Sequence, residues 1–143
     1  MTEGNGIILI EDNQDDCEVI TRGFKACDFS YPIQWFKTSS SALEYLQNPD
    51  NPLPYLIILD LNLPGIDGRT MLESIKLNER LKEIPVIIFT TSSDQKDVKQ
   101  CYEKGANSYI QKPVNFYQMK EVCKTISQYW FNISILPNYD MVS

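Results

Sequence analysis

Five short runs of large apolar residues recur along the chain: Ile7 to Ile10, Ile33 to Phe36, Leu56 to Leu59, Val86 to Phe89 and Ser108 to Ile110. They are short and rich in β-branched and aromatic side chains, so they read as strands. Between them apolar residues recur at helical spacing: Val19, Ile20, Phe24 and Cys27, then Leu43 and Leu46, then Met71, Leu72 and Ile75, then Val98, Cys101 and Tyr102. A fifth, longer stripe runs through Phe116, Met119, Val122, Cys123, Ile126 and Trp130.

Strict alternation of strand and helix calls for parallel pairing with right-handed crossovers, because each helix returns the chain to start the next strand beside the last. The expectation is an α/β domain, a doubly wound five-stranded parallel sheet with five helices. Strands one, three and four are almost wholly apolar, as buried central strands are, whereas IQWF alternates and suits an edge. Local signals agree: Asn13 to Asp16 supply capping and first-turn acids for the first helix, Pro85 opens the fourth strand, and Gly105 stops the fourth helix.

In such sheets ligands bind beyond the carboxyl ends of the strands. There the chain places Glu11 and Asp12, Asp60, Thr90 and Thr91, and Lys112 with Pro113; only the second strand, ending Lys37-Thr38, offers nothing obvious. Three carboxylates within a few ångströms repel one another by several kcal/mol, on the order of what an intermediate dielectric allows, and so invite a cation. Lys112 balances one charge, and the rest suit a small oxygen-seeking ion such as Mg²⁺. The loop LNLPGIDG bends through Pro64-Gly65 and Gly68, which leaves a backbone carbonyl near Asn62 to face the ion. Asp60 keeps an oxygen for nucleophilic attack on phosphorus, with Lys112 and the Thr90 hydroxyl placed to neutralise the phosphoryl oxygens.

Composition narrows the function. The 143 residues, 43% hydrophobic and 22% charged, fit one domain with a full core. Nineteen acids against thirteen bases, net charge −6, and no Lys/Arg cluster argue against nucleic-acid binding. No run is long enough to span a bilayer and the start MTEGNG lacks signal-peptide regions, so the expected location is cytoplasmic, with no membrane partner. The absence of histidine excludes Ser-His triads, His-metal sites and phosphohistidine relays within the chain. Cys17, Cys27, Cys101 and Cys123 are dispersed and read as reduced packing residues.

The motifs IILIEDN, LIILDLNLPGIDG, PVIIFTTS and GANSYIQKP, in this order, resemble the response-regulator receiver domains of bacterial two-component signalling, over residues 7 to about 130. The resemblance implies the CheY-like, flavodoxin-like strand order 2-1-3-4-5 and a signalling switch rather than an enzyme. It further implies that Asp60 is the phospho-acceptor, that Glu11, Asp12, Asp60 and the Asn62 carbonyl hold Mg²⁺, that Thr90, Lys112 and Tyr109 sense the phosphate, and that the Lys112-Pro113 bond is cis. Residues 1–6 are then a disordered start, 7–131 the receiver domain and 132–143 a C-terminal extension. DLNLPGIDGR, TTSSD and YWFNISILPN are similar to the stand-alone regulators of bacterial phytochrome kinases. That similarity implies a sensor histidine kinase as partner, possibly phytochrome-type, an unidentified downstream protein target, and a homodimer through the helix 4, strand 5 and helix 5 face with the C-terminal extension.

Other readings stand beside these. Glu11-Asp12 alone suits a helix N-terminus without metal, Asp60 an Asx turn, Lys112 a surface charge, Thr90 a plain strand residue and Tyr109 a packed aromatic. A Mg²⁺-dependent phosphohydrolase with an aspartate nucleophile also starts from a strand-end Asp, but the haloacid-dehalogenase type wants a second Asp where Asn62 stands. A flavodoxin-like nucleotide binder needs a Ser/Thr/Gly-rich phosphate cradle where this chain has EDNQDD.

Overall fold

The computed structural model describes residues 6–137. Five strands, β1 (Ile7–Ile10), β2 (Ile33–Phe36), β3 (Leu56–Leu59), β4 (Val86–Thr90) and β5 (Ser108–Gln111), alternate with α1 (Gln14–Ala26), α2 (Ser39–Gln47), α3 (Gly68–Leu77), α4 (Gln95–Glu103) and α5 (Phe116–Gln128). All pairings are parallel, in the order β2-β1-β3-β4-β5, which puts IQWF at an edge as its alternation requires.

Successive residues of a strand face opposite sides of the sheet, and this parity divides the core in two. Ile7, Leu9, Leu56, Ile58, Ile87 and Phe89 pack with Cys17, Ile20 and Phe24 of α1 and Met119, Cys123 and Ile126 of α5. Ile8, Ile10, Ile57, Leu59, Val86 and Ile88 pack with Ala42 and Leu46 of α2, Met71, Leu72 and Ile75 of α3, and Cys101 of α4. All four cysteines are free, three of them buried.

Each helix starts on a side-chain cap: Asn13, Thr38, Asp67, Asp94 and Asn115 each accept a backbone N–H of the first turn. Gly105, at φ 103°, takes the left-handed conformation after α4. The turn after β3 is held by N–H groups of Leu63 and Gly68 donating to the Leu61 carbonyl, with Gly65 at φ 73°. Gly68 is packed so closely that a Cβ there would lie 2.2 Å from the Asp60 carbonyl oxygen and 2.6 Å from Leu61 Cα. The start of α3 therefore presses on the backbone that carries Asp60.

After α5 the chain widens into a π-helical turn, Tyr129–Ile133, closed by the Ser134 N–H donating to the Tyr129 carbonyl. Phe131 in that turn closes an aromatic cluster with Phe29, Tyr31 and Tyr55 at the end of the sheet away from the strand C-termini. Most of the expected disordered start, residues 1–5, and the last six residues of the expected extension lie outside the described residues.

Candidate functional site

The sheet ladder continues for a residue or two past the strand ends, and with it the parity. Glu11 N–H donates to the Phe36 carbonyl, Asp60 N–H to Ile10 and Lys112 N–H to Thr90. Glu11 continues the series Ile7, Leu9; Asp60 continues Leu56, Ile58; Lys112 follows Ile110, which packs on the same core. All three side chains thus emerge on the α1 and α5 side. Thr90 and Tyr109 have the opposite parity, with Ile88, on the side of α3 and α4.

The Lys112 ammonium lies 2.6 Å from Glu11 Oε1, 2.8 Å from Asp16 Oδ2 and 3.1 Å from Asp60 Oδ2. An ammonium has three N–H donors, and all are engaged by carboxylates. Glu11 is 1% exposed and Asp60 6%. Carboxylate oxygens of Glu11, Asp12 and Asp60 lie within 4.8 Å of one another, a spacing that one small cation can bridge. The donor set, all hard oxygen, fits Mg²⁺ or Mn²⁺ better than a thiolate-seeking metal. Asn62 is exposed, and its N–H sits 3.4 Å from Asp60 Oδ1 as the chain turns away from β3.

Electrostatics sort the members of the cluster. Burial is the largest influence on Glu11 and raises its carboxyl; the Lys112 hydrogen bond opposes this, the Asp60 charge reinforces it, and the result is about 7. Burial would weaken the charge on Lys112, but hydrogen bonds to Asp16 and Glu11 and the charge of Asp60 outweigh it, so Lys112 is held above the ordinary lysine value. Both ends of this ion pair are shifted upward, which weakens the charge on Glu11 and secures that on Lys112. With one ammonium among several carboxylates, burial eases protonation of Glu11 while Lys112 keeps its charge.

On the other side of the sheet, the Thr90 hydroxyl is fully buried and makes no hydrogen bond among the described residues, an unusual state for a buried polar atom. Tyr109, half-buried, donates its hydroxyl to the Ser92 carbonyl at 3.0 Å, and Ser92 Oγ donates to Asp97 Oδ2 at 2.8 Å. Arg69, in the first turn of α3, closes the chain on Asp97 Oδ1 at 2.6 Å. The loop after Thr90 is thus tied both to β5 and to α3.

The strand ends therefore bring Glu11, Asp12, Asp60 and Lys112 together, with Asn62 beside them, while Thr90 on β4 and Tyr109 on β5 have the opposite parity. Four contributors were not expected. Asp16, read as a first-turn charge, is a direct partner of Lys112. Trp35, on the strand whose end offers nothing obvious, donates its indole N–H to the Glu11 carbonyl at 2.6 Å. Arg69 ends the stretch DLNLPGIDGR without a role being read for it, and Asp97 carries no motif. One expectation is corrected: the Lys112-Pro113 bond is trans, as no peptide bond among the described residues is cis. The trans form is intrinsically preferred by about 0.5–1 kcal/mol, and Lys112 reaches all three carboxylates without the cis isomer.

The Glu11 carboxyl sets a pH dependence. Its folded value of about 7 exceeds the ordinary 4.5, so between these limits the folded state binds the extra proton. That contribution is complete below about 4.5 and is lost as pH rises to about 7. In metal-free protein held in chelator, wild type should lose about 1–3 kcal/mol relative to Glu11→Gln across this window, read from urea midpoints. A difference between the two proteins that does not change with pH would contradict the assignment.

The response regulator receiver domain family model matches residues 7–124. The probable methanogenesis regulatory protein FilR2 of Methanothrix harundinacea is 38% identical over 127 residues, covering 87% of this chain and 82% of that protein. The response regulator Rcp1 of Synechocystis is 34% identical over 135 residues, 92% of each. Among solved structures, the phosphorylated cyanobacterial phytochrome response regulator RcpA superposes with a TM-score of 0.87 at 32% identity, covering 94% of this chain and 99% of that one. The Mn²⁺-bound form of Rcp1 gives 0.86 at 33% identity with the same coverage. No helix among the described residues is long and apolar enough to cross a membrane. In fold, in motif order and in the acidic group at its strand ends, this chain belongs to the response regulator receiver domain family.

Proposed function

We propose that the chain is a phosphorylation switch in which Asp60 accepts a phosphoryl group from a sensor histidine kinase. The observation that carries this reading is the buried Asp60 carboxylate, 3.1 Å from the Lys112 ammonium and grouped with Glu11 and Asp12. An Asp60 oxygen attacks phosphorus, the bond from phosphorus to the kinase imidazole breaks, and its electron pair stays on the leaving nitrogen. Later attack by water on the acyl phosphate releases inorganic phosphate and restores the carboxylate.

Glu11, Asp12, Asp60 and the Asn62 carbonyl are the groups to hold Mg²⁺. Bound there, the ion offsets the charge of the phosphoryl oxygens. Lys112, already charged and within reach of Asp60, neutralises a second oxygen. The Thr90 hydroxyl, buried and unpartnered, gains an acceptor when the phosphoryl group arrives. Its movement, with Tyr109 following into the space it leaves, alters the α4, β5 and α5 surface and so the choice of downstream protein. The likeness to a cyanobacterial phytochrome response regulator favours a phytochrome-type sensor as the partner.

A homodimer through that surface and the C-terminal extension belongs to the same reading. Ile133 and Ile135 are 69% and 96% exposed in the single chain, and apolar side chains so open favour cover by a partner. Cutting the chain after Phe131 should convert a sedimenting dimer to monomer; an unchanged dimer would remove the extension from the interface.

The acceptor is tested by weighing intact protein after incubation with acetyl phosphate and Mg²⁺. Wild type should gain one phosphoryl mass and Asp60→Asn none. Gain by both proteins, or by neither, would overturn the assignment.

A further inference from the structure

Lys112 has three acceptors, and two of them, Glu11 and Asp60, belong to the group that fits a cation. The third, Asp16, does not. It sits in the first turn of α1, where the Asn13 side chain accepts the Asp16 N–H at 2.9 Å and fixes its backbone. Side chains on a helix lean back toward its N-terminus, which here is the strand end, and Asp16 Oδ2 meets the ammonium at 2.8 Å. Its side chain is 42% exposed, against 8% for Lys112.

We propose that Asp16 is a positioning residue, a berth that shares the Lys112 ammonium with the acidic nook and controls how much of it reaches the reacting groups. The inference rests on the reading of Asp60 as phospho-acceptor. Before a cation binds, every hydrogen bond that Lys112 makes to Asp16 is one not spent on neutralising Glu11 and Asp60. Asp16 therefore keeps those carboxylates attractive to a divalent ion. With Glu11 and Asp60 holding an ion, Asp16 would still pair the ammonium, so the buried lysine would not be left alone. During phosphoryl transfer the same contact works the other way, because Asp16 competes with the phosphoryl oxygens for Lys112. One residue thus raises cation affinity and restrains the transfer step.

Asp15 provides the control. It is the adjacent first-turn carboxylate, it stands in the same field of the helix end, and it is not one of the three partners of Lys112. The experiment compares wild type, Asp16→Asn, Asp15→Asn and Asp16→Glu. Mg²⁺ affinity is titrated through tryptophan fluorescence in a Trp130→Phe background, which leaves Trp35, whose indole bonds the Glu11 carbonyl, as the reporter. The phosphorylation rate is measured by intact mass with acetyl phosphate at saturating Mg²⁺.

Relative to Asp15→Asn, Asp16→Asn should bind Mg²⁺ about two- to fivefold more weakly and be phosphorylated about two- to fivefold faster. Asp16→Glu, which keeps a carboxylate within reach, should return both values toward wild type. Asp16→Asn matching Asp15→Asn in both readouts, or losing affinity and rate together, overturns the proposal. Wild type that takes up no phosphate overturns the acceptor reading and this inference with it; phosphorylated wild type with indistinguishable Asn variants overturns the berth alone.

Discussion

The site depends on an imbalance of charge held out of water: one ammonium, Lys112, faces three carboxylate partners, two of them almost fully buried. A single cation cannot satisfy so many anions, and burial makes the remainder costly. The protein answers partly from within, by letting the Glu11 carboxyl rise to about 7. A divalent ion, for which the oxygens of Glu11, Asp12 and Asp60 are suitably spaced, would bring two further positive charges and relieve the rest. The same excess of negative charge that strains the resting nook thus makes it suited to a divalent ion.

Sheet parity is what makes the arrangement reproducible. Odd and even residues of each strand enter different core halves, so Glu11, Asp60 and Lys112 reach the α1 side without any one of them being individually steered. Thr90 and Tyr109 fall on the opposite side, next to the Arg69, Asp97 and Ser92 network that ties down the loop after β4. The Asp60 and Lys112 side chains on one face and the buried Thr90 hydroxyl on the other are held near one another because β3, β4 and β5 lie side by side in the sheet. The crowding of Gly68 against the Asp60 carbonyl couples the start of α3 to the same point.

Much of this was legible in the chain because its signals are local. Apolar runs of four or five residues mark strands, alternation of strand with helix specifies parallel pairing, and residues directly after strands must lie at one sheet edge. IQWF was readable as an edge from its alternation alone. Asp16 escaped because a first-turn acid has a sufficient explanation in the helix dipole; its distance from the capping Asn13, and the backward lean of helical side chains, were the available signal. Trp35 escaped because a strand-end search looks past the last residue, not at an indole reaching sideways from an edge strand. Arg69 and Asp97 lie far apart in sequence, on helices whose mutual placement follows from packing rather than pattern. The trans Lys112-Pro113 bond departs from what family likeness implied, since backbone isomer is set by local context that short motifs do not carry.

The most direct test of the charge imbalance is cation binding without any phosphate chemistry. Titration with Mn²⁺, following the free ion by electron paramagnetic resonance, compares wild type with Asp12→Asn, which removes one carboxylate of the group and leaves every Lys112 partner in place. The account predicts saturable binding of a single ion by wild type, weakened about tenfold or more in Asp12→Asn. Equal binding by the two proteins, or none by wild type, would contradict it.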